Sequence, residues 1–426
     1  MKKLLLILLC LPMIGFGQGW EQTYGGQDVD EGIIVEQTND GGYIVLGNTK
    51  SFGNGFQDIW IVKIDNLGNE EWSQTYGGSS NDAGNFIQET SDSGFIIIGD
   101  FDNESWIKRL DKYGNNVFFN YLGSANSSGS SVKQVSDGGF VIGLYTGLMS
   151  IGNTVIRKIN EIGYSEWTHQ FVTPDYADYS INGNFNLTYD GGYIFTGAKR
   201  VIANGPYNVL LLKLDSIDIP SSPSNQAWET VISVPNLSYG KIVQQTIDSG
   251  FVVLGNPYSS KYEICLIKTD SQGNQLWIQS YSDPINGLQG NYFQQTLDGG
   301  FIIIGTEIKQ VDNDLLIIKV NPQGFQEWQK IFSGISYDEG SYIQQTSDGG
   351  YIITGSTVMP GNGSDMWLIK TDNQGNITST FTIPINPNRK LLNTVDILGK
   401  QTKPQTNIPF IEIYDDGTVE KRIVIE

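Results

Sequence analysis

Seven times in this chain of 426 residues, an aspartate is followed by glycine or serine and then by glycine. Each copy follows a polar segment and precedes a short apolar run. The spacing between successive copies is 52, 45, 53, 58, 50 and 50 residues. Self-similarity at such a period predicts an array of small units stacked on one another. The aspartates are Asp40, Asp92, Asp137, Asp190, Asp248, Asp298 and Asp348.

Each unit reads as two β-hairpins. In the first unit, Asp-Gly lies between two β-rich runs, which is the strongest short hairpin signal because glycine supplies the positive φ of the turn. A second pair of runs follows a Gly/Ser/Asn-rich loop. The strands predicted for this unit are 32–38, 43–47, 58–65 and 71–76. With 51 glycines and only 17% charged residues, the composition is that of an all-β protein with many turns.

The second hairpin repeats as faithfully as the first. A basic residue recurs at Lys63, Arg109, Lys158, Lys213, Lys268, Lys319 and Lys370, with Asp or Asn two residues later. Two residues apart on a strand, both side chains lie on one face, so we expect a surface pair or a hydrogen bond between blades. An aromatic residue then opens the fourth strand and is expected to lie in the core. These aromatics are Trp72, Phe118, Trp167, Trp228, Trp277 and Trp328.

The seventh unit has Ser379 where the aromatic residue belongs, and the missing strand lies at the other end of the chain. Residues 20–26 match residues 72–78 almost one for one. A closed ring needs such an offset to remove its sheet edges. The sequence therefore predicts an all-β fold, a seven-bladed β-propeller closed by the N-terminal strand, with a short C-terminal β-hairpin tail.

The N-terminus is typical of a secretory signal. Lys2 and Lys3 precede an apolar run, and small residues follow it, so cleavage is expected before Gln18. Removing the two lysines takes the net charge from −20 to about −22, which argues against nucleic acid or an anionic membrane as a partner. We expect no membrane-spanning segment in the mature chain and a secreted location, extracellular or attached to the cell surface.

The predicted propeller has one regular face, formed by the Asp-Gly hairpins and the second hairpins. The opposite, variable face is formed by the loops between second and third strands and between blades. Tyrosines with carboxylates on that face suit glycan, peptide or calcium-assisted surface binding, although a merely solvated face is an equal alternative. The candidate ligand-binding residues are Asp30, Glu31, Asp82, Tyr176, Asp178, Tyr258, Asp314, Tyr337, Asp338 and Glu339.

Catalytic signals are sparse. The single histidine, His169, lies on an outer strand, and no Asp-x-Asp-x-Asp-Gly calcium loop occurs. We therefore predict a non-catalytic binding, adhesion or scaffold module without a cofactor, with calcium a possibility that no motif supports. Two alternatives stay open: a polysaccharide- or peptide-directed hydrolase or lyase with a site at the channel mouth, and a purely architectural module of the cell envelope.

Two local motifs resemble those of known propellers. Residues 346–350, Thr-Ser-Asp-Gly-Gly, are similar to the Asp-box turn of sialidase-like propellers, with Ile353 at the place of the box's final aromatic residue. The run from Lys268 to Trp277 resembles the tryptophan-docking turn of quinoprotein propellers, which implies that these tryptophans pack blade on blade. Because the chain has seven blades and no cysteine pair, no quinone cofactor is expected.

After Thr380 the repeat stops. The run Val395-Asp-Ile-Leu-Gly-Lys400, the turn Tyr414-Asp-Asp-Gly417 and the ending Lys421-Arg-Ile-Val-Ile-Glu426 resemble the C-terminal sorting signal of type IX secretion cargo in Bacteroidota. The propeller also resembles the repeat propellers of such proteins. The resemblance implies recognition by outer-membrane secretion machinery. The predicted division is a signal peptide (1–17), propeller (18–380), linker (381–389) and sorting-signal-like β segment (390–426).

Overall fold

The computed structural model describes most of the chain in β-strands. The described residues are 19–101, 104–123, 127–148, 151–171, 179–200, 206–216, 226–234, 237, 239–256, 262–359, 363–377, 390–396, 400–403, 410–414 and 419–422. Among them there is no helix. They divide into two compact units, residues 1–378 and 379–426. The predicted signal peptide and linker lie outside the described residues.

The first unit contains seven four-stranded antiparallel sheets, which are the blades of a propeller. Blades 1 to 3 consist of β2 (Asp30–Gln37), β3 (Tyr43–Thr49), β4 (Asp58–Ile64), β5 (Glu70–Tyr76); β6 (Asp82–Glu89), β7 (Phe95–Phe101), β8 (Glu104–Leu110), β9 (Asn116–Tyr121); and β10 (Ser127–Gln134), β11 (Phe140–Leu148), β12 (Ile151–Ile159), β13 (Ser165–Phe171).

Blades 4 to 6 consist of β14 (Tyr179–Leu187), β15 (Tyr193–Arg200), β16 (Tyr207–Leu214), β17 (Gln226–Ile232); β18 (Ile242–Gln245), β19 (Phe251–Gly255), β20 (Ile264–Thr269), β21 (Gln275–Tyr281); and β22 (Gly287–Gln295), β23 (Phe301–Ile308), β24 (Asn313–Val320), β25 (Gln326–Phe332). Blade 7 consists of β26 (Glu339–Gln345), β27 (Tyr351–Val358), β28 (Ser364–Thr371) and the N-terminal strand β1 (Trp20–Tyr24).

The N-terminal strand closes the ring as the sequence predicts. The order in the last sheet is β1-β28-β27-β26, with Trp20 opposite Lys370 and Tyr24 opposite Met366. The outer edge of β28 is thereby paired, so the last blade has four strands like the other six. The seven-bladed, all-β architecture is confirmed.

The core lies between neighbouring blades. The second and third strands of each blade are almost fully buried, as in β3 and β4, because both of their faces are covered by the blades on either side. At six of the blade junctions, the aromatic residue of the outer strand contacts the first residue of the second strand in the next blade. Trp72 packs edge-on against Phe95 at 6.1 Å between ring centroids, and Trp20 makes the same contact with Tyr43 at 5.9 Å. The predicted blade-on-blade packing of the aromatics is confirmed.

A glycine in the next blade accommodates six of these rings: Gly68, Gly114, Gly163, Gly273, Gly324 and Gly375. Gly114 adopts a φ of +83°, and a Cβ added to it would lie 3.2 Å from the Trp72 ring. Both the left-handed conformation and the close approach exclude a side chain there. The second hairpin therefore positions the tryptophan of the preceding blade.

The basic residue of each third strand is partnered differently from the prediction. It forms an ion pair with the Asp-Gly aspartate of its own blade, at 2.6–3.0 Å in the seven blades. The predicted partner two residues later, such as Asp65, accepts backbone N–H groups of its own turn instead, from Leu67 and Asn69 at 2.8 Å. The expected pair along one strand was wrong because the turn beyond Lys63 supplies closer donors to Asp65. The expected bond between blades does occur at Arg109, whose Nη1 donates to the Glu161 carbonyl of the next blade at 3.2 Å.

The C-terminal unit forms a three-stranded antiparallel sheet. Its strands are β29 (Leu391–Asp396), β30 (Phe410–Tyr414) and β31 (Val419–Arg422), in the order β29-β30-β31. The predicted hairpin corresponds to β30 and β31, and β29 adds a third strand. No helix among the described residues is long and apolar enough to cross a membrane.

Candidate functional site

The Asp-Gly turns on the regular face use their aspartates to hold the backbone. In blade 1, Asp40 Oδ1 accepts hydrogen bonds from the Thr38 hydroxyl, the Gly42 N–H at 2.9 Å and Lys63 Nζ at 3.3 Å. Lys63 is only 3% exposed, so its ammonium group needs this partner. The same arrangement recurs around the ring, which assigns the repeated aspartates and lysines to the fold.

Seven inner strands enclose a central channel, with residues of β2, β6, β10, β14, β18, β22 and β26 among its walls. Its volume is about 200 Å³. The rings of Tyr292 and Tyr342 stack in it at 4.0 Å, and the Tyr342 hydroxyl donates to that of Tyr292 at 3.2 Å. Gln244 Nε2 donates to the Tyr292 hydroxyl at 3.0 Å. These bonds occupy the polar groups on this side of the channel.

A belt of hydrogen bonds joins adjacent inner strands near the regular face. The side chain three residues before each Asp-Gly aspartate accepts a backbone N–H of the preceding blade in six cases. In blade 4 that position holds Leu187, which has no polar group. The acceptors are Gln37, Glu89, Gln134, Gln245, Gln295 and Gln345. The belt fixes the channel wall everywhere except between blades 3 and 4.

Lys133 lies at this interruption of the belt, on the first strand of blade 3. At the equivalent position the other blades carry an amide or a carboxylate side chain. Its ammonium lies 4.3 Å from the centroid of the Phe86 ring. Burial lowers the pKa of Lys133, and the charge of Glu36 opposes this; burial raises the pKa of Glu36, opposed by Lys133. Glu36 and Lys133 are thus an acid and a base whose pKa values are shifted toward neutrality. Such shifted pairs mark candidate sites.

The variable face carries a larger cavity, which lies between blades 5 and 6. Its volume is about 540 Å³. The side chains of Tyr262 and Ile285 are 51% and 89% exposed, and Asp283 keeps a lowered pKa because the N–H groups of Asn286 and Ile285 hydrogen-bond to it. Polar and apolar groups thus alternate around one concave surface, which we call the blade 5–6 groove. It is lined by Tyr262, residues 283–287 and residues 308–310.

Exposed apolar side chains continue from the groove along the variable face. Val311, Ile335 and Tyr337 are 82%, 65% and 55% exposed. The Tyr337 N–H donates to Asp312 at 2.7 Å, which ties the loop between blades 6 and 7 to the second loop of blade 6. The regular face also exposes Tyr189, Ile247 and Leu297 at turn tips, so exposure alone does not separate the two faces.

The candidate residues from the sequence fall into three groups. Glu31, Tyr337 and Glu339 are exposed on the variable face. Asp30, Asp82, Asp314 and Asp338 are at most 1% exposed, because they point into the junctions between blades. The third group, Tyr176, Asp178 and Tyr258, lies outside the described residues.

Sequence reasoning missed the channel groups Glu36 and Lys133 and the groove residues Asp283, Ile285 and Lys309. Lys133 carried a readable signal, since it replaces an amide in an otherwise regular position of the repeat. The groove residues lie in loops of irregular length, where the repeat gives no register. Within the described residues, no three His, Cys, Asp or Glu side chains form a group suited to a metal ion.

No protein-family model matches the sequence, and no curated protein does. Solved structures do resemble the fold. YCF48 bound to D1 peptide is 11% identical, with a TM-score of 0.51 over 85% of this chain and 99% of that chain. A puromycin hydrolase S511A mutant complexed with PGG is 11% identical, with a TM-score of 0.53 over 92% of this chain and 59% of that one.

A third similar structure is the apo form of prolyl oligopeptidase B from Galerina marginata. It is 12% identical, with a TM-score of 0.50 over 91% of this chain and 56% of that one. At such identities the likeness concerns the fold alone. The same architecture occurs in enzymes and in a peptide-bound protein, so it does not choose between catalysis and binding.

Proposed function

We propose that this chain is a non-catalytic binding module that holds a glycan, a peptide or a surface protein on its variable face. The blade 5–6 groove is the observation that supports this best. Its volume of about 540 Å³ lies within the range of ligand sites. The channel, at about 200 Å³, lies below that range, so the groove is the better place for a polymer segment.

The groove offers the groups that polar polymers use. The half-exposed ring of Tyr262 can stack on a sugar face or a peptide side chain. Lys309 and the ionised Asp283 stand at its rim and supply a donor and an acceptor of opposite charge. Lys309 itself is held by the buried carboxylate of Asp314, which fixes its position.

Tyr262→Ala tests this placement with a glycan and peptide array read against the unmodified chain. We expect binding to fall at least tenfold, while the melting temperature changes little because the ring is exposed. Tyr113→Ala, at a residue on the regular face that is 66% exposed, is the matched control and should bind normally. Equal binding by both variants would overturn the groove placement.

A second candidate function is hydrolysis or elimination on a polysaccharide or peptide at the channel mouth. The opposing pKa shifts of Glu36 and Lys133 favour it, since such reactions use a general acid and a general base whose pKa values are tuned by burial and by neighbouring charges. Turnover of any array ligand that is lost in Glu36→Gln, with binding retained, would establish this function in place of simple binding.

We also propose that the protein is exported, with the C-terminal unit as its sorting signal. The separation of residues 379–426 from the propeller as a compact unit of its own supports this. Ending the chain after Pro384 should keep the propeller folded and retain the protein in the cell envelope. If the shortened protein still reaches the medium or the cell surface, the sorting role is wrong.

A further inference from the structure

Three successive blade junctions on the variable face each contain two buried aspartates. One aspartate is the first or second residue of the third strand of a blade, and the other begins the first strand of the next blade or directly precedes it. All six side chains are at least nine-tenths buried, with residue exposures of 0–7%. The pairs are Asp58 with Asp82, Asp365 with Asp30, and Asp314 with Asp338.

In two of these junctions the carboxylate oxygens converge on one point. Asp58 Oδ1 and Asp82 Oδ2 lie 1.6 and 2.7 Å from the position that a Cβ would take on Gly77. Asp365 Oδ1 and Asp30 Oδ2 lie 2.3 and 2.9 Å from the corresponding position on Gly25. A glycine is required at each place because the carboxylates of two different blades meet there.

One oxygen of each converging pair receives no hydrogen bond from the part of the chain that the structure describes. Backbone N–H groups serve the other oxygen of each pair: Gly78 donates to Asp82 Oδ2 at 2.6 Å, and Gly26 donates to Asp30 Oδ2 at 2.8 Å. Asp58 Oδ1 and Asp365 Oδ1 are buried and receive no hydrogen bond from the described residues. A buried carboxylate without a partner is strongly disfavoured, so each oxygen calls for a proton or a cation.

In the third junction, between blades 6 and 7, the protein itself supplies a cation. There Lys309 contacts the carboxylate of Asp314 beside Asp338. Among the described residues, no lysine or arginine nitrogen lies within 4.0 Å of a carboxylate oxygen of Asp58, Asp365 or Asp30. A positive charge is built into one junction by the sequence, while Asp58, Asp365 and Asp30, in the two junctions on either side of blade 1, have no such charge within that distance among the described residues.

We propose that the junctions between blades 7 and 1 and between blades 1 and 2 each bind a calcium ion. Carboxylate oxygens are the hard ligands that Ca²⁺ prefers, and water or backbone carbonyls complete a coordination number of six to eight. With only two carboxylates each, the sites belong to the weak class of extracellular modules, with Kd values on the order of 10⁻⁴–10⁻³ M.

The location gives the cations a defined role. Gly25 directly follows the N-terminal strand β1, so one site lies where the two ends of the propeller chain meet. An ion between Asp365 and Asp30 would join the last blade to the first. Calcium would then stabilise ring closure, which complements the strand pairing of β1 with β28.

Thermal unfolding of the whole chain, dialysed against a chelator, tests the proposal. Adding 10 mM calcium chloride, about ten times the weakest expected Kd, should raise the melting temperature by about 3 °C. Sodium chloride at matched ionic strength should not. Asp365→Asn and Asp58→Asn should each remove about half of the rise. Glu31→Gln, at an exposed carboxylate next to Asp30, should leave it intact.

Two results would overturn the proposal. One is an equal melting temperature with calcium and with chelator, which would mean that the oxygens of each pair share a proton. The other is a full calcium response in the Asp365→Asn/Asp58→Asn double variant, which would place the ions elsewhere. Because asparagine has the shape of aspartate without its charge, the variants should be at least as stable as the parent chain in chelator, which separates loss of binding from misfolding.

Discussion

The two faces of this propeller treat buried charge in opposite ways. On the regular face, every Asp-Gly aspartate faces a basic residue of its own blade. The free-energy cost of burying the basic side chain is offset by its ion pair with that carboxylate. On the variable face, Asp58 and Asp365 meet a second carboxylate across a blade junction. In the first arrangement each carboxylate has a cationic partner, whereas Asp58 Oδ1 and Asp365 Oδ1 receive no hydrogen bond from the described residues.

This contrast separates fold from function within one repeat. The pair of Lys213 and Asp190 illustrates the complete case: burial alone would raise the pKa of Asp190, but hydrogen bonds from Thr188 and Lys213 hold it at about 2. For Asp58 and Asp365, burial raises the pKa, and for Asp365 the charge of Asp30 adds to it. Ligand-dependent behaviour is therefore expected at the junctions and not at the turns.

The largest effect should come from breaking the regular face in the closing blade. Lys370→Glu places a second carboxylate beside Asp348 in a site that is 3% exposed. We expect a loss of about 3 kcal/mol or more in the free energy of unfolding, measured by urea titration. Lys370→Met, which fills the same space without charge, should lose less than half of that. Similar losses in both variants would show that packing, and not charge pairing, sets the stability there.

A smaller effect of opposite sign is expected at the junctions. In chelator at pH 7.5, Asp58→Asn should be more stable than the parent chain by about 1 kcal/mol, because it removes a buried charge that faces Asp82. The folded-state pKa of Asp58 is raised, so the folded protein favours the protonated carboxyl. The stabilising contribution of Asp58 is therefore present below its pKa in the unfolded chain and is lost as the pH rises through its pKa in the folded protein. The advantage of Asp58→Asn should therefore vanish near pH 4. An advantage that does not depend on pH would refute the charge argument.

The smallest effect concerns backbone strain in the turns of the regular face. Ser93 and Ser249 adopt φ values of 63° and 65°, where the other five repeats have glycine. Ser93→Gly should stabilise the protein by about 0.5–1 kcal/mol, because a left-handed conformation disfavours residues with a side chain. Gly41→Ser is the matched control, since nothing lies within 4 Å of a Cβ added there, and it should destabilise by a similar amount. Unfolding curves of the two variants that coincide would contradict this reading of the turns.

Much of the fold was predictable from the sequence because each blade repeats the same local requirements. The Asp-Gly turns gave the number of blades, and the match of Trp20 to Trp72 gave the closing strand. The partner of Lys63 was not predictable from spacing along one strand, since Asp40 reaches it across the sheet. The aspartate pairs were also hidden, because Asp58 and Asp82 are separated by a whole strand and meet only when two blades pack together.

The site was less predictable than the fold for the same reason. Asp30, Asp82, Asp314 and Asp338 were recognised as acidic residues on the variable face, but a sequence pattern does not tell an exposed loop carboxylate from one buried between blades. Glu339 is exposed although it directly follows the buried Asp338. Only the packing of neighbouring blades decides which of the two faces solvent.

Amide hydrogen exchange with and without 10 mM calcium is the most direct test of the difference between the faces. We expect added protection at the two junctions that flank blade 1, in residues 25–30, 51–58 and 77–82. The seven Asp-Gly turns, including Thr38–Gly42, should exchange at unchanged rates. Protection spread evenly over both faces, or no change at the junctions, would contradict the assignment of cation binding to the variable face.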